Sequence, residues 1–350
     1  MANNKSRKKT VKESIVCFGG GNGITKYLIA PLKKDFRIVA ATSMADSGMS
    51  TGQLRKDLGV LPPGDLVKQL AAVSDAPDWK IKLWRKRFGR EEFLAGHIGH
   101  TFGNLYLAGI ENITGSFLKA LREAELFLEL DFHRAYPATV DNVQLCAELE
   151  NGEVIVGEDE IDEPITHDPS LKIKRVFLEP RARAFRPLLA EIAKAKIIIF
   201  GPSDFYSSLI PCLLPDGISK ALAASRAKKV FIANTVTENG ETHGFTIEDF
   251  VLILEKYMGC PLDFVIMQDP PVFGEMISKW KKQNPNIMEA VVDKGHLDIT
   301  KFIKADIMKS FGEFGYESQK IKKAIKNHLV SVELFQVNKQ VNISVPVCPI

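Results

Sequence analysis

The sequence has little that would announce a special chemistry. Five cysteines (Cys17, Cys146, Cys212, Cys260 and Cys348) are scattered along 350 residues, odd in number, and none forms a C-x-x-C pair. That spacing argues against a zinc ribbon, a dithiol redox pair and a disulfide framework. Reduced, buried thiols suit a cytoplasmic protein. No apolar run reaches the ~18 residues of a membrane span, and 14–18 is too short for a signal-peptide core. Net charge is only +3, and part of it sits in Lys5, Arg7, Lys8, Lys9 and Lys12. The remainder is close to neutral, so composition gives no case for nucleic acid. There is no G-K-[ST] phosphate loop, no G-x-S-x-G elbow, no Ser–His–Asp arrangement and no close carboxylate pair of the glycosidase kind. His97 and His100 sit three apart, but no third ligand stands at a metal-site spacing.

What is present is a globular mix, 45% hydrophobic and 25% charged, which excludes a disordered, collagenous or coiled-coil chain. Strands and helices alternate. A β-branched run at 15–18 stops at Gly19-Gly20-Gly21-Asn22-Gly23, and helical spacing follows over 24–33. A second strand is expected at 36–42, then helices at 54–58, 65–73, 102–110 and 117–130. Runs at 143–149 and 153–157 flank Glu150-Asn151-Gly152, a hairpin signal, with another strand at 174–178. The rhythm then resumes with helices at 186–195, 218–227 and 246–257 and strands at 196–200, 229–233 and 262–267. Strands alternating with helices predict an α/β, Rossmann-like, doubly wound and mostly parallel sheet. The division expected is a disordered basic tail at 1–12 and a nucleotide-binding domain at 13–294, with a β insertion around 140–180. A C-terminal extension at 295–350 packs on the core, with possible strands at 329–335 and 340–345.

In such a sheet ligands sit beyond the carboxyl ends of the strands. Gly19, Gly20, Gly21, Asn22 and Gly23 end the first strand, where backbone amides and a helix N-terminus can meet a phosphate. The spacing fails G-x-G-x-x-G, so neither nicotinamide nor flavin is expected. Valine at Gly21 or Gly23 should block binding while sparing the fold. After the second strand come Asp46, Ser50, Thr51 and Arg55: small hydroxyls to wrap a polar ligand, one acid to hold Mg²⁺ beside a diphosphate, and one cation. Asn234, at a later strand end, can read a base or sugar because its amide both donates and accepts.

Seven blocks then occur in a recognisable order: GGGNG, SGMSTGQLRKDLGVLPPGD (47–65), GHTFGNL (99–105, with Asn104), PAT (137–139), VFLEP (176–180), GPSDFYSSLIPCLL (201–214, with Gly201 and Ser203) and NTVTENGETHGFT (234–246). Together they resemble the 2-phospho-L-lactate transferase superfamily, and look closest to its bacterial gluconeogenesis-factor branch. The resemblance implies a nucleotide diphosphate lying over the glycine loop. In the archaeal branch it implies Mg²⁺-dependent transfer of a phospholactyl group from a guanosine diphosphate carrier to a deazaflavin precursor. In the bacterial branch it implies UDP-sugar binding and support of growth on gluconeogenic carbon and of cell shape. A homodimer is one assembly open to the chain. The chain departs from the pattern at Ser47, where a second acid is usual, at Met49, at Asn22 and at Asp204. Two readings stay open: a UDP-sugar-binding regulator, and a transferase with Asp46 on Mg²⁺.

Overall fold

Alternation along the strands explains the architecture. In β1 (Ser14–Phe18), Val16 and Phe18 enter one apolar layer while Ile15 and Cys17 enter another. In β2 (Arg37–Thr42), Val39 and Ala41 join the first layer and Ile38 and Ala40 the second. A strand buried on both faces must be covered on both faces, the signature of a parallel sheet between helical layers. The computed structural model describes residues 12–88, 99–309 and 313–330, and it has that form.

The central sheet has seven strands. With β3 (Arg134–Pro137), β4 (Ile197–Phe200), β5 (Lys228–Ile232), β6 (Phe264–Gln268) and β7 (Phe302–Ala305), their spatial order is 7-6-5-4-1-2-3. Every neighbouring pair is parallel. Read from the other edge this is the 3-2-1-4-5-6 doubly wound order with one strand added, so the direction of winding reverses between β1 and β4. The added strand comes from the segment after 295, which therefore supplies the sheet's own edge as well as packing on it. The expected insertion is an antiparallel sheet of Gln144–Leu149, Val154–Val156 and Ile173–Glu179, its hairpin closed by Gly152 N–H on Leu149 O at 3.0 Å.

Some elements differ from expectation. Helix α1 runs over 21–32, with a π-helical stretch at Ile24–Ile29, and so begins inside the glycine run. Helix α2 (Met49–Leu58) starts five residues before the apolar spacing suggested, because Met49 is the one large apolar residue of its first turn and Ser50, Thr51 and Gly52 follow it. Helix Asp78–Arg85 was not anticipated; it exists to bury Trp84, whose indole N–H donates to Val67 O at 3.0 Å. The strand expected at 329–335 is met by a helical turn at Lys326–Val330, and 331–350 lie outside the described residues, as does the tail at 1–11. Lys12 is described, and its ammonium donates to Lys34 O at 2.6 Å. Among the described residues no helix is long and apolar enough to cross a membrane.

The glycine loop divides into positions of different kinds. A Cβ on Gly23 would stand 1.9 Å from the backbone oxygen of Pro202, in the turn after β4. Gly21 has φ +54, and a Cβ there would stand 3.8 Å from Asp65 Oδ1, an ordinary contact. The expectation that valine at Gly23 spares the fold is therefore corrected: backbone cannot yield as a side-chain tip can. Gly21→Ala should lose about 1–2 kcal/mol of stability from the left-handed backbone. Gly23→Ala should lose more, and measurably soften cooperativity in urea unfolding. Equal midpoints for the two variants would refute this division.

Candidate functional site

Helix α3 (Gly64–Val73) builds the site's floor. Pro62 and Pro63 cannot continue a preceding helix, so α3 starts cleanly and places Asp65 in its first turn. Gln69 lies four residues on and hence on the same face. Asp65 Oδ2 accepts the N–H of Gly21 at 2.6 Å, and Gln69 Nε2 donates to Gly19 O at 2.7 Å. These bonds grip the glycine loop from below. Asp65 thus serves as the N-terminal anion of α1, whose other first-turn amides belong to Asn22 and Gly23. Its Oδ1 pairs with Lys68 at 2.8 Å.

Above the loop lies a cavity of about 750 Å³, at the β1/β4 switch point. Gly20, Gly21, Asn22, Gly23, Asp46, Thr51, Asn104, Ser203 and Asn234 line it, so the structure brings these sequence-derived positions together. Gly19 and Gly201 shape the adjoining backbone without lining the cavity. Arg55 does not line it either: its guanidinium holds Asn142 Oδ1 and Val143 O, each at 2.6 Å. The side chain of Ser50 lies outside what the structure describes, and His97 lies outside the described residues. Asn104 is buried in the wall, its N–H capped by Thr101 Oγ1 at 3.2 Å. Asn234 donates through Nδ2 to Ser203 O at 3.1 Å, tying the ends of β4 and β5 together.

The dominant property of the cavity was not read from the sequence: it is acidic. Asp65, Glu158, Asp162, Asp204 and Glu238 join Asp46 in the wall, whereas Lys68 and Arg87 are the cationic side chains among the described lining residues. Burial, then the charge of Asp65, pushes Asp46 up to about 6, although its Oδ1 accepts the Gly48 N–H at 2.9 Å and Thr51 also donates to it. Burial and Asp46 push Glu158 up to about 9. Burial and Asp204 push Asp162 up to about 6. Asp204 and Glu238 are raised by burial and by their acidic neighbours. Just behind the wall, Glu241 accepts the Tyr206 and Ser207 N–H groups at 2.8 and 3.2 Å, yet burial and Asp204 lift it to about 8. Glu158 and Asp162 reach the site on a helical turn, Glu158–Asp162, of the β insertion. Ser47, standing where a second acid was sought, instead donates to Asp159 of that insertion. The second acid beside Asp46 is Asp65, from helix α3. Its one sequence signal was the Pro-Pro-Gly-Asp helix entry.

Carboxylates that outnumber the cationic side chains, beside backbone amides, fit a cation together with an anion. Among the described residues no three carboxylate, histidine or cysteine side chains form a metal-binding group. Mg²⁺ commonly takes only one or two carboxylates and completes its shell with phosphate oxygens and water. Asp46 and Asp65 suit that pattern.

The profile of the family described as 2-phospho-L-lactate transferase CofD matches residues 15–308. A putative gluconeogenesis factor of Aquifex aeolicus is 35% identical over 332 residues, covering 91% of this chain and 99% of that one. The gluconeogenesis factor of Bacillus subtilis is 36% identical over 275 residues, covering 78% and 84%. The crystal structure of a UPF0052 family member from Bacillus halodurans superposes with a TM-score of 0.80 at 32% identity, covering 90% and 99%.

The raised carboxylates set the pH dependence. The native protein keeps protons that the unfolded chain has released near pH 4, so this contribution to stability is full below that pH and is lost as pH rises through about 6 to 9. Melting temperature should fall from pH 5 to pH 9, and Glu158→Gln should flatten the fall. A profile that rises over this window, or one Glu158→Gln leaves unchanged, would contradict the assignment.

Proposed function

The chain belongs to the 2-phospho-L-lactate transferase CofD family, among relatives named gluconeogenesis factors, and from that premise we propose that it binds a UDP-sugar in the switch-point cavity and acts as a regulator of central carbon metabolism and cell shape. The observation that carries this reading is the N-terminus of α1, reached by a glycine loop, opening into a cavity of about 750 Å³ at the β1/β4 reversal. Such a helix end is a seat for a diphosphate, and a cavity of this size suits a nucleotide rather than a single phosphate. Asp46 and Asp65 would hold Mg²⁺, which supplies charge neutralisation for the diphosphate. Asn22 and Gly23 offer first-turn amides to the phosphates, Thr51 orients Asp46, and Asn234 stands on the side where the nucleoside extends.

A second reading is a transferase moving a phospho-acid group from a nucleotide diphosphate donor. One observation favours it: Asp65 supplies beside Asp46 the second carboxylate that Ser47 does not. Chemistry of this class needs positioning and charge neutralisation more than a reactive side chain.

Titration calorimetry with a UDP-sugar tests both. Mg²⁺ should tighten binding at least about tenfold, ~1.4 kcal/mol, and EDTA or Asp46→Asn should remove that gain while leaving the weaker metal-free binding. Absence of UDP-sugar binding at millimolar concentration, with Mg²⁺ present, would sink the nucleotide reading. Metal-dependent release of a nucleoside monophosphate or of a phospho-acid acceptor adduct would replace the regulator with the transferase.

A further inference from the structure

One wall of the cavity differs from the rest. Tyr27 on α1, and Phe314 and Tyr316 from the C-terminal segment, line it. Tyr27 and Tyr316 meet edge to face, centroids 5.3 Å apart and 65° between planes, which leaves an angled aromatic corner. Phe314 packs on Trp280 behind, at 5.3 Å. Both C-terminal residues lie past 308, where the family match ends.

The corner is held in place by a relay from the sheet. Gln268, the last residue of β6, accepts through Oε1 the N–H groups of Ile307 and Met308 at 2.8 and 3.0 Å. Met308 in turn bridges Tyr316 in antiparallel register, with Lys309 N–H on Gly315 O at 3.0 Å and Glu317 N–H on Ile307 O at 2.8 Å. The Tyr316 hydroxyl donates to Ala233 O at 3.1 Å. That fixes its ring next to Asn234. Asn234 Nδ2 is engaged by Ser203 O, but its Oδ1 is buried with no hydrogen-bond partner. A buried acceptor left without a partner is costly, and such groups ordinarily have one.

We propose that this corner is a nucleobase subsite: Tyr27, Phe314 and Tyr316 enclose the ring, and Asn234 Oδ1 accepts a lactam N–H from its edge. The proposal rests on the nucleotide reading above and adds where the base lies and what is read on it. A ring stacks on aromatic side chains whatever its sequence identity. The acceptor supplies the selection, because Oδ1 can only accept. Uracil, through N3–H, and guanine, through N1–H, both present the required donor; a base methylated at that nitrogen does not.

Calorimetry with the full chain and Mg²⁺ tests this, using UDP, GDP, N3-methyl-UDP and inorganic pyrophosphate. UDP or GDP should bind at least ~10-fold tighter than pyrophosphate, and whichever gains more identifies the base. Tyr316→Ala should weaken that nucleotide by ~5- to 100-fold, as loss of base stacking does, and leave pyrophosphate unchanged. Tyr316→Phe should retain most of the nucleotide affinity. If UDP is the base read, N3-methyl-UDP should lose at least ~5-fold on the unmutated protein; if GDP is, 1-methyl-GDP should. The methylated arm decides even where Tyr316→Ala fails to fold. Equal binding of nucleotide and pyrophosphate, or a methylated base bound as well as its parent, overturns the subsite while the diphosphate seat stands. Failure of every probe, pyrophosphate included, overturns both.

Discussion

The hydrogen bond from the Gly21 amide to the Asp65 carboxylate, 2.6 Å long, constrains everything around it. The first strand, the glycine loop and α1 together make a seat for an anion, and the protein has already placed one of its own there. A second anion a few ångströms away meets repulsion of the order of 4 kcal/mol at the effective dielectric of a partly buried site. A helix N-terminus returns about 0.3–1 kcal/mol, and about 2 at best. Repulsion wins, so a diphosphate in this cavity would bind more tightly with a cation than without one. Glu158, Asp162, Asp204 and Glu238 push the same way. The acidity that opposes a bare phosphate ligand would couple the proposed one to a divalent ion.

The same bond explains what the sequence could and could not disclose. The strands were legible because β1, β2, β4, β5 and β6 are short β-branched runs buried on both faces, and such runs carry their signal locally. The turn at Asn151-Gly152 and helix Ile247–Met258, expected at 246–257, were legible for the same reason. Helix Asp78–Arg85 was not, because its sequence is mixed and its justification is Trp84 meeting Val67, a contact between elements. Asp65 was visible only as part of a helix entry. Its role depends on Gly21, 44 residues earlier in the chain, and pairings of that range leave no spacing to read. Arg55 shows the converse: a cation next to an expected phosphate loop reads as a ligand, while in the folded chain its guanidinium holds the loop before the β insertion.

Ser47 makes the point in chemical terms. Judged by the linear motif, its hydroxyl in place of a carboxylate removes a metal ligand. In the folded chain Ser47 donates to Asp159, an anchor for the insertion that delivers Glu158 and Asp162 to the cavity. The negative charge missing from the motif is restored by residues that fold in from elsewhere. A substitution within a motif therefore changes which segment carries the charge before it changes the charge of the site.

This distribution separates the general from the particular. The doubly wound sheet supplies a helix N-terminus and a crevice at its switch point, as many unrelated folds of this class do, and a fold alone does not specify a ligand. The additions to the sheet stand on either side of that seat. The β insertion brings carboxylates, which set the demand for a cation. The segment after β7 brings Phe314 and Tyr316, which set what can lie against the aromatic corner. The family profile matches residues 15–308, and part of the wall that faces the cavity lies beyond that match. Two relatives could share every glycine of the loop and still bind different nucleotides, because the groups that would discriminate are held by Gln268 and the strand edge rather than by the loop itself.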